Sequence, residues 1–153
     1  LQPRLRAALS VAGGGAEGRR LAAGLMLLAA FALHNLEEAI AYRVMHGEIQ
    51  ALLAAWDIPW WSPSPRQFSL TLITLTLAIA VLVAWAARGA AAHSKVRILR
   101  ILAAVLLINI AVPHVPAALI LGGYAPGLLS ALAVNLPVGL AALWLLRREP
   151  QSH

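Results

Sequence analysis

Four stretches of this chain, residues 21–43, 67–87, 96–122 and 126–146, are each long and apolar enough to cross the hydrocarbon core of a membrane, which takes about 20 helical residues. Lipid offers a bare amide no hydrogen bond, so each run must satisfy its own backbone as a helix. Charge usage agrees. Only 12% of the 153 residues are charged and 61% are hydrophobic, against roughly a quarter charged in a water-soluble domain. That leaves too little polar surface for a soluble fold. The short links after the second and third runs force antiparallel neighbours. The expected fold is all-α, an integral membrane antiparallel four-helix bundle in one domain.

The cations set its expected orientation. Arg4, Arg6, Arg19 and Arg20 precede the first span, Arg88, Lys95, Arg97 and Arg100 join the second to the third, and Arg147 and Arg148 follow the fourth. Only Arg43 and Arg66 stand at the opposite ends. By the positive-inside rule both termini are cytoplasmic. The first span is too long for a cleaved signal peptide and is expected to stay as an anchor. Residues 1–20 read as a basic, Gly-rich cytoplasmic segment with a Gly/Ala linker at 11–18, residues 21–148 as the four-span domain, and 149–153 as a tail. The one long connection, 44–66, carries Trp56, Trp60 and Trp61 and is expected on the outer surface, with a short amphipathic helix around 49–56, as a lid or a plain connector. Eleven of the twelve Lys and Arg residues are Arg, the usage of a GC-rich bacterial genome, so the expected location is a bacterial cytoplasmic membrane, multi-pass. Clustered cations between apolar runs exclude a nucleic-acid face. The lack of cysteine excludes thiolate chemistry and disulfides.

Polar residues inside the spans are the exceptions that carry function. After thirteen apolar residues the first span reads His34-Asn35-Leu36-Glu37-Glu38. At 100° per residue, Glu37 lies about 60° and Glu38 about 40° from His34, so one helix face presents an imidazole and two carboxylates. Each ionisable group costs roughly 2.5–3.5 kcal/mol in mid-membrane, so three together need partners or a wet cavity. A helix leaving the membrane at His34 would have covered only about 20 Å of a roughly 30 Å core. The third span adds Asn109 and His114, with Pro113 between them. His34 and His114 each lie about 12 Å below the outer ends of their spans, at the same depth. Asn135, close to Pro137, lies on the fourth span, and Gln67, Thr71 and Thr74 form a weaker i, i+4, i+7 stripe on the second, where Thr usually bonds its own backbone. The inner halves are nearly pure Leu, Ala, Val and Ile.

These residues resemble a known pattern. His34-x-x-Glu37-Glu38, then Asn109 and His114, then Tyr124-Ala125-Pro126-Gly127 are similar to the three motifs of the HXXEE family, small bacterial proteins of four membrane helices. The resemblance covers residues 21–146; it implies a site at these motifs and no particular activity. One departure stands out: the family's Asn precedes its His by four residues, whereas Asn109 precedes His114 by five. In a regular helix that turns Asn109 about 140° from the His114 face; one wide turn, of the kind Pro113 favours, would restore it. Pro126 is expected to start the fourth helix, with Tyr124 as an interfacial anchor or a donor over the site.

Two mechanisms suit two imidazoles and two carboxylates. His34, Glu37, Glu38 and His114 can bind one divalent ion, Zn, Fe or Mn, and activate water or oxygen. Alternatively the same groups act as proton donor and acceptor without a metal. A two-metal site draws on about six ligands, more than the four present. The expected function is a membrane-embedded enzyme that isomerises, cyclises or hydrolyses a lipophilic small molecule. Its catalytic groups are His34, Glu37, Glu38, His114 and Tyr124, and Asn109, Asn135, Thr71 and Thr74 are substrate contacts. The alternative is a non-enzymatic binding or transport protein for a proton, metal ion or small ligand.

Overall fold

The computed structural model describes residues 3–58, 62–89 and 93–147, with the side chains of residues 3–14 excepted. Trp60, Trp61 and Arg148 lie outside the described residues, as do the side chains of Arg4 and Arg6. Among the described residues every regular element is a helix, and turns, bends and short irregular stretches join them. They run α1 (Pro3–Ala55), α2 (Pro65–Ala87), α3 (His93–Asn109), a wide π-type turn Ile110–His114, α4 (Val115–Ile120), α5 (Leu128–Ser130), a second wide turn Ala131–Asn135, and α6 (Leu136–Arg147). Four rods result, and each is long and apolar enough to cross a membrane: Gly15–Ala55, Pro65–Ala87, His93–Ile120 and Leu128–Arg147.

Both ends of the first rod differ from the expectation. Residues 11–18 are helix rather than linker, and residues 44–55 continue α1 without the break expected after Arg43. Good helix formers such as Ala, Leu, Arg and Glu surround the three glycines at 13–15 and outweigh about 1 kcal/mol of lost propensity at each. The long connection therefore shrinks to the residues between Ala55 and Pro65. It is fixed at its far end by a capping box, in which Ser64 and Gln67 exchange side-chain and backbone bonds with Pro65 at the first helical position. Tyr42 ties α1 to this connection through its hydroxyl, which donates to Pro63 O at 2.8 Å, and its ring stacks on Phe68.

The apolar core lies toward the end of the bundle that carries Arg20, Arg88, Lys95 and Arg147, called here the basic end. Leu27, Leu99, Ala103, Leu106, Ala142 and Leu146 are fully enclosed there. α6 approaches α3 closely at Gly139, where a Cβ would lie 2.9 Å from the Leu107 side chain and 3.3 Å from Ala103 O. Basic side chains cover exposed carbonyls at the helix ends: Arg20 reaches Gly89 O, Lys95 reaches Arg88 O and Arg100 reaches Leu146 O. Cations suit these carbonyl-rich C-termini.

The opposite half departs from regular helix, and prolines explain why. Pro113 disfavours α geometry at the residue before it, and Val112 is extended (φ −140°, ψ 95°). The helix reconnects by the wide bond from Val115 N to Ile110 O. In the fourth rod Pro137 has no N–H to offer Ala133, and its ring crowds that carbonyl. The chain widens just before it, closing Leu136 N onto Ala131 O.

Candidate functional site

His34 and His114, on rods far apart in sequence, meet in the interior of this irregular half. Their Nε2 atoms are 3.1 Å apart and the rings pack edge to face, each no more than 2% exposed. The wide turn at Ile110–His114 stacks residues five apart, so Asn109 regains the His114 face. Its Nδ2 lies 2.8 Å from His34 Nε2 and 3.1 Å from His114 Nε2. The five-residue spacing thus fits the site through one wide turn.

The second wide turn does the same for the fourth rod, bringing Ser130 and Asn135 onto one face. Ser130 Oγ lies 2.9 Å from His34 Nδ1 and donates to Gly127 O. With the Ser130 proton on Gly127 O, the hydroxyl oxygen accepts from the imidazole; in that arrangement the His34 proton sits on Nδ1 and the Nε2 lone pair faces His114 and Asn109. The Pro126 carbonyl lies against the His114 ring. Asn135 is fully buried, and neither its oxygen nor its nitrogen has a partner among the described residues.

The two carboxylates part company. Glu38 Oε2 faces His34 Nε2 at 3.7 Å and makes no hydrogen bond among the described residues. One atom each from His34, Glu38 and His114 fall within 4.8 Å of one another. Glu37, expected in the same ligand set, is directed elsewhere. Its carboxylate accepts from Tyr124 Oη at 2.5 Å, from Leu129 N at 3.2 Å and from Ser130 N at 2.6 Å. These are free amides at the start of α5, which a carboxylate satisfies in both hydrogen bonding and charge. Burial and the Glu37 contact push the Tyr124 phenol up to about 12, so Tyr124 stays a donor.

This geometry explains the Tyr-x-Pro-Gly motif. Tyr124 holds Glu37, and Gly127, at φ +82°, caps α5 in a left-handed conformation that a side chain resists. A Cβ there would also lie 2.6 Å from His114 Cε1 and 2.8 Å from His34 Cε1. Only glycine lets the backbone close over both rings. The fourth rod starts at Leu128 rather than at Pro126, because the left-handed Gly127 interrupts helical geometry between them.

The threonine stripe does not reach the site. Thr71 and Thr74 are exposed, and their hydroxyls donate to Gln67 O and Leu70 O of their own helix. Polar neighbours not singled out from the sequence take part instead. Asn35 Nδ2 donates to Thr76 Oγ1 at 2.7 Å, joining α1 to α2, and Ser130 orients His34. Ser130 is an isolated hydroxyl in an apolar run three residues after the motif glycine, the one sequence cue to it. Two grooves flank the cluster. One, of about 320 Å³, is lined by Leu33, Leu36, Glu37, Ile40, Ala41 and Tyr124. The other, of about 490 Å³, lies between α1 and α2 beside Asn35 and Thr76.

A family model described as "Protein of unknown function with HXXEE motif" matches residues 25–142, which include every residue of the cluster. No curated protein and no solved structure matches the chain.

Proposed function

Because the chain belongs to the HXXEE family and its motif residues meet in one enclosed cluster, we propose that it is a membrane-embedded enzyme acting on a lipophilic small molecule. His34, His114 and Glu38 are its working groups. The observation that carries this reading is the 3.1 Å approach of two buried imidazoles beside a carboxylate that makes no hydrogen bond among the described residues. Burying such groups is costly, and a purely structural role would be met more cheaply by Leu and Ala, as at the basic end. The chemistry open to them is an isomerisation, cyclisation or hydrolysis, driven by proton transfer or assisted by a metal.

The substrate class follows from the walls. The groove beside Glu37 and Tyr124 is otherwise lined by Leu33, Leu36, Ile40 and Ala41, so it suits a ligand with an apolar body and one polar group. Glu37 and Tyr124 are then positioning groups at its polar end. The bacterial cytoplasmic membrane, with both termini inside, is the setting the basic clusters favour, and it puts the groove in the outer leaflet. A transport role is less well supported. A path toward the basic end would have to pass the enclosed Leu27, Leu99 and Leu106.

The test compares lipid extracts of cells expressing the wild type with those of cells expressing His34→Ala or His114→Ala at matched membrane levels. The expected result is a lipophilic compound that falls, with a product that rises, only in the wild type. Identical extracts across a broad set of host membranes would count against an enzyme.

A further inference from the structure

The proton count of the cluster leads further. His34 Nε2, His114 Nε2 and the Asn109 amide form a triangle with edges of 2.8, 3.1 and 3.1 Å. For its three edges to be hydrogen bonds, one imidazole nitrogen must donate to the other. The third atom must then donate to one nitrogen and accept from the other. A hydroxyl or water can do both. A carboxamide nitrogen only donates and a carboxamide oxygen only accepts, so neither orientation of Asn109 satisfies the triangle. One edge always sets proton against proton or lone pair against lone pair.

A cation removes the conflict. We propose that His34 Nε2, His114 Nε2 and Glu38 bind one divalent first-row transition ion, with Asn109 supplying its Oδ1 once the amide is turned over. This assignment deepens the enzymatic reading and rests on the cluster being the working site. Every inward atom then offers an electron pair and none needs a proton. The outer contacts are those of ligating histidines, which give their other N–H to an oxygen acceptor. His34 Nδ1 faces Ser130 Oγ, and His114 lies against the Pro126 carbonyl.

The dimensions agree. Two nitrogens at about 2.0–2.1 Å from one tetrahedral ion are about 3.3 Å apart, close to the 3.1 Å between the Nε2 atoms. With 3.7 Å from His34 Nε2 to Glu38 Oε2 and one ligand atom of each residue within 4.8 Å of the others, an ion can sit within about 2.4 Å of all three, a few tenths of an ångström from Zn–N and Zn–O distances. Two His and one carboxylate with open positions suit Zn(II) or Fe(II). Glu37 lies outside this set, since α5 and Tyr124 hold its carboxylate.

The test uses the full chain in detergent, stripped with a chelator and titrated with Co(II) alone, read by visible absorption and elemental analysis. About one Co(II) per chain is expected, displaced by Zn(II). His34→Ala and His114→Ala should each lower affinity at least tenfold, and Ser130→Ala about 10–100-fold by loosening the His34 ring. Asn109→Asp, which adds a carboxylate to the triangle, should raise affinity; this variant keeps the test decisive if the alanine variants fail to fold. Stripped wild type with full helicity that takes up less than about a tenth of an equivalent overturns the assignment, and so does binding unaltered by both Ser130→Ala and Asn109→Asp. The two readings fail separately. If the chain binds no metal but the lipid-extract difference is lost in His34→Ala, the metal is wrong and the enzyme stands. If the chain binds metal but the extracts are identical, the reverse holds.

Discussion

The two halves of this bundle are built on different rules. Toward the basic end, regular helices enclose Leu27, Leu99, Ala103, Leu106 and Leu146, and ordinary periodicity decides what faces inward. In the motif half both later rods widen, at Ile110–His114 and Ala131–Asn135, and residues five apart share a face. The first half gains stability from apolar packing, with Arg20 as its one buried charge among the described residues, tied to Gly89 O. The second assembles polar groups and gives up helical regularity to do so, a pattern frequent where π turns sit at functional sites.

The largest expected effect tests the basic half. Leu99 is fully enclosed, and Leu99→Ala should cost about 2–5 kcal/mol by leaving a cavity. Co(II) binding by the protein that remains folded should be unchanged. Reversible unfolding in mixed micelles measures the first and a Co(II) titration the second. A loss of metal affinity with little loss of stability would mean that the halves are not separable.

Gly127→Ala reverses the pattern. The left-handed conformation alone costs a residue with a Cβ about 1–2 kcal/mol, and the added methyl group must displace both imidazoles. The expected stability loss is about 2 kcal/mol, at the lower edge of the range for Leu99→Ala, but the site should be disrupted, with Co(II) affinity down at least tenfold. Retained affinity would show that the rings do not need the close approach of Gly127.

The same division governs what the sequence makes legible. The four helices follow from long apolar runs, and the shared depth of His34 and His114 follows from counting 1.5 Å per residue along two rods. Local periodicity also identifies Glu37 and Glu38 as near neighbours of His34, but it could not separate their roles. Which carboxylate turns to the histidines depends on where α5 begins, and that is set by the left-handed Gly127, a tertiary feature. Helical counting likewise places Asn109 on the wrong face, and only the combination of Pro113 and the five-residue spacing points to the wide turn. Ser130 is a lone small polar residue with no periodic partner in sequence, and Asn35 points away from the His34 face toward α2, where its partner Thr76 lies on another helix. α1 runs past both ends of its apolar stretch because a helix with good formers on both sides tolerates the glycines at 13–15 and the charges from Arg43 onward.

A smaller effect is expected at the edge of the site. Tyr124→Phe removes one donor from Glu37 but leaves the Leu129 and Ser130 amides in place. Tyr124 is partly exposed, so the loss should be about 1 kcal/mol. Its phenol is pushed up from 10 to about 12, so the folded state holds the proton more tightly than the unfolded chain. The contribution is therefore complete below about pH 10 and fades as the pH rises through about 12. Between about pH 7 and 9 the difference between wild type and Tyr124→Phe should stay constant. A slope there, in parallel unfolding titrations, would mean that the hydroxyl is not held by Glu37.

The smallest effects separate three threonines on one helix. Thr71 and Thr74 are exposed and bond only to carbonyls of their own helix, a bond that slightly weakens a helix rather than joining it to a neighbour. Thr71→Ala and Thr74→Ala should therefore change stability by no more than about 0.5 kcal/mol. Thr76 differs although it makes the same backward bond, to Leu72 O, because its oxygen also accepts from Asn35 Nδ2 at 2.7 Å. Thr76→Ala leaves that buried amide only the 3.4 Å contact with Leu72 O, so a loss of about 1 kcal/mol is expected. The excess over its two neighbours should vanish in an Asn35→Ala background, since only the shared bond distinguishes them. If the three threonines are equivalent in both backgrounds, Asn35 does not join α1 to α2, and the polar network of the motif half ends at His34 and Glu38.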